Sequence, residues 1–176
     1  VAEQADPDPD FPTVAFPNPE EPGAIDLALA TARAHNADLV IANDPDADRC
    51  AVAAKDSSGN WRMLRGDELG TLLGHYISKK QSVKGEIFAT TIVSSSALKK
   101  IAAKSGASFI ETLTGFKWLS KIENLVFGYE EAIGYCVDPS KVNDKDGISA
   151  ALKIAQINSQ LMARGSNVFA YLDEIW

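Results

Sequence analysis

The feature that most constrains this chain is its rhythm: short apolar runs alternate with segments of helical periodicity. Leu39-Val40-Ile41-Ala42 and Cys50-Ala51-Val52-Ala53-Ala54 have the length and continuity of buried strands. Before the first, residues 24–36 place Ile25, Leu29 and Ala32 at helical spacing. After the second, Ser57-Ser58-Gly59-Asn60 predicts a turn and residues 61–64 the returning strand of a hairpin. A helix follows over 66–80, with Leu69, Leu72, Leu73 and Tyr76 as its apolar stripe. The rhythm then repeats. Residues 87–93 read as a strand, 94–105 as a helix, 108–111 as a strand, 116–122 as a short helix and 125–127 as a strand. Two further helices are predicted over 146–163 and from about 167. This order predicts an α/β fold of three layers, α/β/α, and the hairpin predicts mixed rather than purely parallel sheets. The polar, turn-like stretch 79–85 predicts a boundary between two units, 1–80 and 81–176.

With 176 residues there is room for one ordinary domain or two small ones, and 45% apolar residues suffice for a core. Six of the eight prolines lie in residues 1–23, which predicts extended chain and turns, with a short strand over 13–16. Lys and Arg number 17 against 24 Asp and Glu, a net charge of −7. A chain without a cationic surplus is not expected to bind nucleic acid or anionic membrane. A small anionic substrate needs only a local basic pocket. Cys50 and Cys136 form no CxxC and no Cys/His cluster, which predicts two reduced thiols rather than a disulfide scaffold or a zinc site. There is no apolar run of 18 residues and no signal peptide, so a cytoplasmic location is expected. The first residue is not methionine, which reads as processing or as an excerpt from a longer chain.

Chemistry concentrates in Asp44-Pro45-Asp46-Ala47-Asp48-Arg49, directly after the first buried strand. In an extended loop, a spacing of two puts alternate side chains on one side. Three carboxylates so placed repel one another unless a cation sits among them, and hard oxygen ligands in this number suit Mg²⁺. Arg49 beside them matches a phosphate bidentately. A calcium-binding EF-hand does not fit, because its sixth position is Arg49 instead of glycine and its twelfth is Lys55 instead of glutamate. A solvated acidic turn is the bland alternative. A second cluster, Gly128-Tyr129-Glu130-Glu131-Ala132-Ile133-Gly134-Tyr135, offers carboxylates that accept hydrogen bonds from vicinal sugar hydroxyls, between glycines that allow close approach. Thr112-Leu113-Thr114-Gly115-Phe116-Lys117-Trp118 and Asp144-Lys145-Asp146-Gly147 each bring one lysine to a loop or helix start.

In their order and spacing these segments resemble the α-D-phosphohexomutase superfamily, the phosphoglucomutases and phosphomannomutases. The metal loop matches that family's Asp-x-Asp-x-Asp-Arg pattern, and Thr114-Gly115-Phe116-Lys117-Trp118 is similar to its third-domain loop. Residues 130–135 stand in the place of the sugar-binding Gly-Glu-x-Ser loop, and Asn18-Pro19-Glu20-Glu21-Pro22-Gly23 also has the family look. The expected serine two residues after Glu130 is Ala132, which resembles the branch containing phosphoglucomutase-2 and phosphopentomutase-like enzymes. The resemblance covers the later part of the second domain and the third of a four-domain enzyme. It implies a metal-loop domain over 1–80 and a sugar-binding domain over 81–176. No phosphoserine loop of the Ser-His-Asn-Pro type and no phosphate-gripping loop of the fourth domain occurs in the chain.

The resemblance further implies phosphoryl transfer between hexose 1- and 6-phosphates through a phosphoserine and a bisphosphate intermediate. Asp44, Asp46 and Asp48 would hold Mg²⁺, and Arg49 would contact phosphate. Gly115, Glu130 and Glu131 would bind the sugar. Lys117 and Lys145 would be candidates for proton transfer or phosphate contact. The implied partners are a sugar phosphate and the first and fourth domains, and the implied activator of the full enzyme is of the glucose 1,6-bisphosphate type. Alone, the chain is expected to be inactive. Two alternatives stand beside this: an aspartyl-phosphate phosphatase of the haloacid-dehalogenase type using Asp44 and Asp46, and a non-catalytic sugar-phosphate-binding module.

Overall fold

The computed structural model describes residues 1–6 and 8–176; Pro7 of the proline-rich start lies outside them. That start is a 3-10 turn at Ala2–Gln4 followed by further turns. The short strand expected over 13–16 does not form: the Val14 amide donates to the Phe11 carbonyl instead. Pro12 and Pro17 on either side carry no amide hydrogen, so a strand there would have few ladder bonds to make.

The first sheet is antiparallel throughout, in the order β1 (Leu39–Asn43), β2 (Cys50–Lys55), β3 (Trp61–Met63). Its hairpin turn is set by Asp56, whose Oδ1 accepts from the amides of Ser58 and Asn60 at 2.9 Å each. Helix α1 (Asp26–Ala34) covers one face, where Ala32 packs on Val40 and Ala53. Helix α5 (Gly147–Met162) covers the other with Ala150 and Ile154. Buried on both faces, β2 is apolar along five residues without alternation.

The second sheet has the order β5 (Ser108–Thr112), β4 (Ile87–Thr91), β6 (Leu125–Glu130), β7 (Gly134–Cys136). Strand β4 is parallel to both neighbours and β7 antiparallel to β6, so the sheet is mixed as expected. Helices α2 (Gly66–Lys80) and α3 (Ala97–Ser105) lie on one face, and the short α4 (Phe116–Leu119) on the other. Helix α6 (Val168–Ile175) docks on α2 and α5. Both units therefore have three layers. Gly70 lets α2 approach the sheet: a Cβ there would stand 2.5 Å from the Tyr129 ring. Cys50 and Cys136 are free and buried, and burial pushes both thiols up to about 12.

One expectation shifts. The stretch 79–85 suggested that α2 belongs with the metal loop. Yet α2 packs against α3 and β6, and Leu72 and Leu73 share a core cluster with Phe88, Leu98 and Phe127. The chain crosses from one unit to the other in the turn between β3 and α2. Periodicity identifies the apolar face of α2 but not the aromatic rings that receive it.

A buried acid anchors that turn. Glu68, 7% exposed, accepts from Arg62 Nη1 at 3.0 and 3.1 Å, from the Arg65 amide at 2.9 Å and from Arg65 Nη2 at 3.2 Å. The Arg62 guanidinium also lies 4.1 Å from the Phe169 ring centre on α6. Burial raises the Glu68 carboxyl, but the bonds from Arg62 and Arg65 outweigh it and hold the group below its usual 4.5. A carboxyl lowered on folding stabilises the fold above its unfolded value, and this stabilisation is lost as pH falls through the folded one. We therefore expect Glu68→Gln to cost about 1–3 kcal/mol at pH 7 and progressively less below pH 4.5. Denaturant unfolding at pH 7 and at lower pH checks this; a penalty independent of pH would contradict it.

Candidate active site

The metal loop leaves β1 at Asn43, whose Nδ2 donates to the Arg49 carbonyl at 2.7 Å and closes the loop. Within it the Ala47 amide donates to the Asp44 carbonyl at 3.0 Å, and Ala47 sits in the left-handed region at φ 57°. The loop is thus a tight turn, not the extended zigzag inferred from the spacing of two. The acids converge all the same: ligand oxygens of Asp44, Asp46 and Asp48 all lie within 4.8 Å of one another. Asp44 is buried, Asp48 half-buried and Asp46 exposed.

Arg49 holds both oxygens of Asp44. Its amide donates to Oδ1 at 3.0 Å and its Nε to Oδ2 at 2.6 Å. Burial pushes the Asp44 carboxyl up, but these bonds and the guanidinium charge outweigh it and keep the group below the ordinary aspartate value. With both oxygens of Asp44 engaged by Arg49, neither is left free to attack a phosphoryl group, which disfavours the aspartyl-phosphate alternative. The donor set fits Mg²⁺: three hard oxygens in reach of one ion, facing solvent on the Asp46 side. Three negative charges meet two cationic side chains, Arg49 and Lys145, so the cluster keeps an excess for a divalent ion.

The loop is fastened to the second unit along its backbone. Arg49 and Gly134 form an antiparallel bridge, and the Cys50 amide donates to the Ile133 carbonyl at 3.0 Å. Gly147 at the start of α5 donates its amide to the Ala47 carbonyl at 3.1 Å. Asp146 caps that helix through the amides of Ile148 and Ser149. From the same turn Lys145 reaches Asp48 Oδ2 with its ammonium.

The second acidic loop is built at the end of β6. Glu130 Oε1 accepts the Gly115 amide at 2.8 Å, which ties the 112–118 loop to it. Gly115 takes φ 101°, which a side chain would resist. Burial raises the Glu130 carboxyl, the Gly115 amide opposes this, and the charges of Glu131 and Asp144 raise it further. Glu130, Gly134 and Lys145 are neighbours: a Cβ on Gly134 would lie 3.1 Å from Lys145 Cδ and 3.6 Å from Glu130 Oε2.

Two expected residues sit differently. Glu131 Oε2 accepts from the hydroxyls of Thr91 at 3.0 Å and Ser94 at 2.9 Å, so its carboxylate braces the turn after β4. Lys117 is exposed on α4, with its ammonium 5.5 Å from the Trp118 ring centre, and no contact joins it to the acids. Of the two candidate lysines, the structure brings Lys145 to the metal loop.

The sequence did not show which contacts support the site. Asn18 Oδ1 accepts from Arg49 Nη1 at 3.3 Å, so the Asn-Pro-Glu-Glu-Pro-Gly segment braces the arginine. Asp67 Oδ1 accepts the Tyr129 hydroxyl at 2.8 Å and the Ser95 amide at 2.6 Å. Glu20, Arg65, Asp67 and Glu131 line an open cavity of about 350 Å³ beside the site. The family look of residues 18–23 was the signal for Asn18 and Glu20 and the acidic loop that for Glu131, whereas Arg65 and Asp67 stood out only as polar residues at the start of a helix.

Gly147 is the point where the acidic loop and the start of α5 approach most closely. A Cβ there would overlap the Arg49 and Ala47 carbonyls and the Asn43 amide, all backbone or pinned groups. We expect Gly147→Ala to destabilise the chain by about 1–3 kcal/mol and to weaken Mg²⁺ binding. Thermal unfolding and calorimetry check both; wild-type stability with wild-type affinity would contradict the packing described.

Comparison with known proteins agrees with this fold. The family description "Phosphoglucomutase/phosphomannomutase, alpha/beta/alpha domain II" matches residues 1–59, and the corresponding domain III matches residues 65–176. A probable phosphomannomutase of Haemophilus influenzae is 52% identical over 99% of this chain and 36% of its own length. A human phosphopentomutase is 44% identical over 100% of this chain and 31% of its own length. The chain thus spans about a third of the curated relatives it matches. In fold it is similar to a phosphoglucomutase/phosphomannomutase family protein of Burkholderia thailandensis, with TM-score 0.79 and 17% identity over 97% of this chain and 36% of that one. It is also similar to N-acetylphosphoglucosamine mutase of Aspergillus fumigatus in complex with GlcNAc-6P and magnesium, with TM-score 0.57 and 19% identity over 77% of this chain and 35% of that one. This chain belongs to the phosphoglucomutase/phosphomannomutase family and carries its α/β/α domains II and III.

Proposed function

We propose that this chain is the metal- and sugar-binding part of a phosphosugar mutase that interconverts the 1- and 6-phosphates of a hexose through a phosphoserine and a bisphosphate. The observation that carries the reading is the backbone bridge between Arg49 and Gly134, which sets the acidic triad and Glu130 on one continuous edge. The relatives named as mutases support the reaction class. The phosphopentomutase among them, with Ala132 in the place of serine, makes a pentose phosphate the natural competing substrate.

In this reading Asp44, Asp46 and Asp48 hold Mg²⁺, which supplies charge neutralisation at the transferring phosphoryl group when bound. The magnesium in the Aspergillus neighbour supports that choice of metal. Arg49, fixed through Nε by Asp44 and through Nη1 by Asn18, presents the rest of its guanidinium to phosphate. Glu130 accepts sugar hydroxyls with the oxygen not used by Gly115. Its raised carboxyl is favoured neutral in the folded chain as pH falls, so sugar binding that needs the carboxylate strengthens as pH rises through that value. Lys145 stands between Asp48 and Glu130, in place to meet a substrate phosphate or to move a proton.

The phosphoryl donor is not among these residues, so we expect no turnover of hexose 1-phosphate by this chain alone with Mg²⁺ and a hexose bisphosphate. A longer protein containing it should turn over, and Glu130→Gln there should lower kcat/KM by about 10²–10³-fold. A coupled assay for the 6-phosphate reads both. Sustained turnover by the isolated chain, or a Glu130→Gln enzyme of undiminished kcat/KM, would contradict the proposal.

A further inference from the structure

The ammonium of Lys145 lies on Asp48 Oδ2, and it reaches there from the other unit of the protein. Three features make this a built contact. Its stem runs over Gly134, where a side chain would stand 3.1 Å from Lys145 Cδ. Its backbone is fixed on both sides: its own amide donates to Asp144 Oδ1 at 2.7 Å, and the next amide, of Asp146, donates to the Tyr135 carbonyl at 2.9 Å. Its side chain is 26% exposed, against 27% for that of Asp48, so the pair is partly shielded from solvent. Asp44 is already matched by Arg49, whose Nε is 4.0 Å from Asp48 Oδ1. Lys145 thus does for Asp48 what Arg49 does for Asp44.

We infer that Lys145 is the resident counter-ion of the acidic triad, and that it gives up Asp48 when a divalent cation binds, swinging along Gly134 toward Glu130 and the cleft. This rests on the metal reading of the triad given above. A divalent cation among the three carboxylates and an ammonium on one of their oxygens repel each other at short range. The lysine stem is flexible and its ammonium is held by Asp48, whereas the Arg49 guanidinium is held at two points, by Asp44 and by Asn18, so Lys145 is the group that moves. Glu130 borders the same glycine and offers a carboxylate on the far side. Metal occupancy and the presence of a free ammonium in the cleft are then coupled, and each weakens or strengthens the other by the same factor.

Two measurements on the chain as it stands test this. Calorimetric titration with MgCl₂ compares wild type with Lys145→Met, and the variant is expected to bind about tenfold more tightly. In parallel, acylation of lysines by an amine-reactive ester, read by peptide mass, follows Lys145 with and without saturating MgCl₂. Lys145 is expected to react several-fold faster with the metal, while exposed Lys117 serves as an unchanged control. If Mg²⁺ binds wild type but Lys145 stays equally protected, the exchange is overturned even if Lys145→Met binds more tightly, because loss of a nearby charge alone explains that. Equal or weaker binding by Lys145→Met overturns it as well. If neither protein binds Mg²⁺, the metal reading fails together with the inference, and the titration of wild type shows which has happened.

Discussion

The whole site hangs on a few backbone hydrogen bonds between two sheets. The Cys50 amide meets the Ile133 carbonyl, Arg49 bridges Gly134, and Gly147 donates to Ala47. None of these bonds uses a side chain, yet together they place a carboxylate cluster from one unit beside a carboxylate and a lysine from the other. The constraint is steric as well as polar. A Cβ on Gly147 would meet the Arg49 and Ala47 carbonyls and push the partner segments apart, and one on Gly134 would crowd the Lys145 side chain. The core makes the same seam: Cys50, Ala51 and Val52 share one apolar cluster with Tyr135, Ala150 and Ile154. Residues that would form two independent domains on a layer diagram are in fact one packed body across this joint.

Electrostatics at the seam follow from that placement. Like charges within a few ångströms are costly unless compensated, and each buried or half-buried acid here has its own answer. Asp44 is gripped by Arg49, Asp48 by Lys145, Glu130 by a backbone amide and Glu131 by two hydroxyls. Asp46 is the exposed member of the triad. The cluster is therefore graded from a buried carboxylate held by Arg49 to one open to solvent, an arrangement that suits an ion entering from one side.

Much of this was legible in the residues. The alternation of apolar runs and helical stripes located α2 at residues 66–80, as observed, and most other elements within a few positions. The acidic loop stood out because it follows a buried strand and ends in arginine. What the residues could not carry was partnership. The stripe of α2 says which face is buried but not that Tyr129 and Phe127 receive it, so the unit boundary was placed one helix late. A spacing of two suggested an extended loop, whereas a left-handed Ala47 makes a turn that gathers the same side chains. Glu131 looked like a twin of Glu130, but alternation along the chain sends it toward Thr91 and Ser94. Lys117 and Lys145 were equivalent as loop lysines, and only the fold around Gly134 separates them.

The direct test of the account is to locate the ion. Crystals of this chain soaked in MnCl₂ and measured for anomalous scattering should show one peak enclosed by carboxylate oxygens of Asp44, Asp46 and Asp48, and none in an Asp46→Asn, Asp48→Asn variant. A well-ordered loop without a peak at millimolar manganese, or a peak bound elsewhere while the three acids point apart, would contradict it.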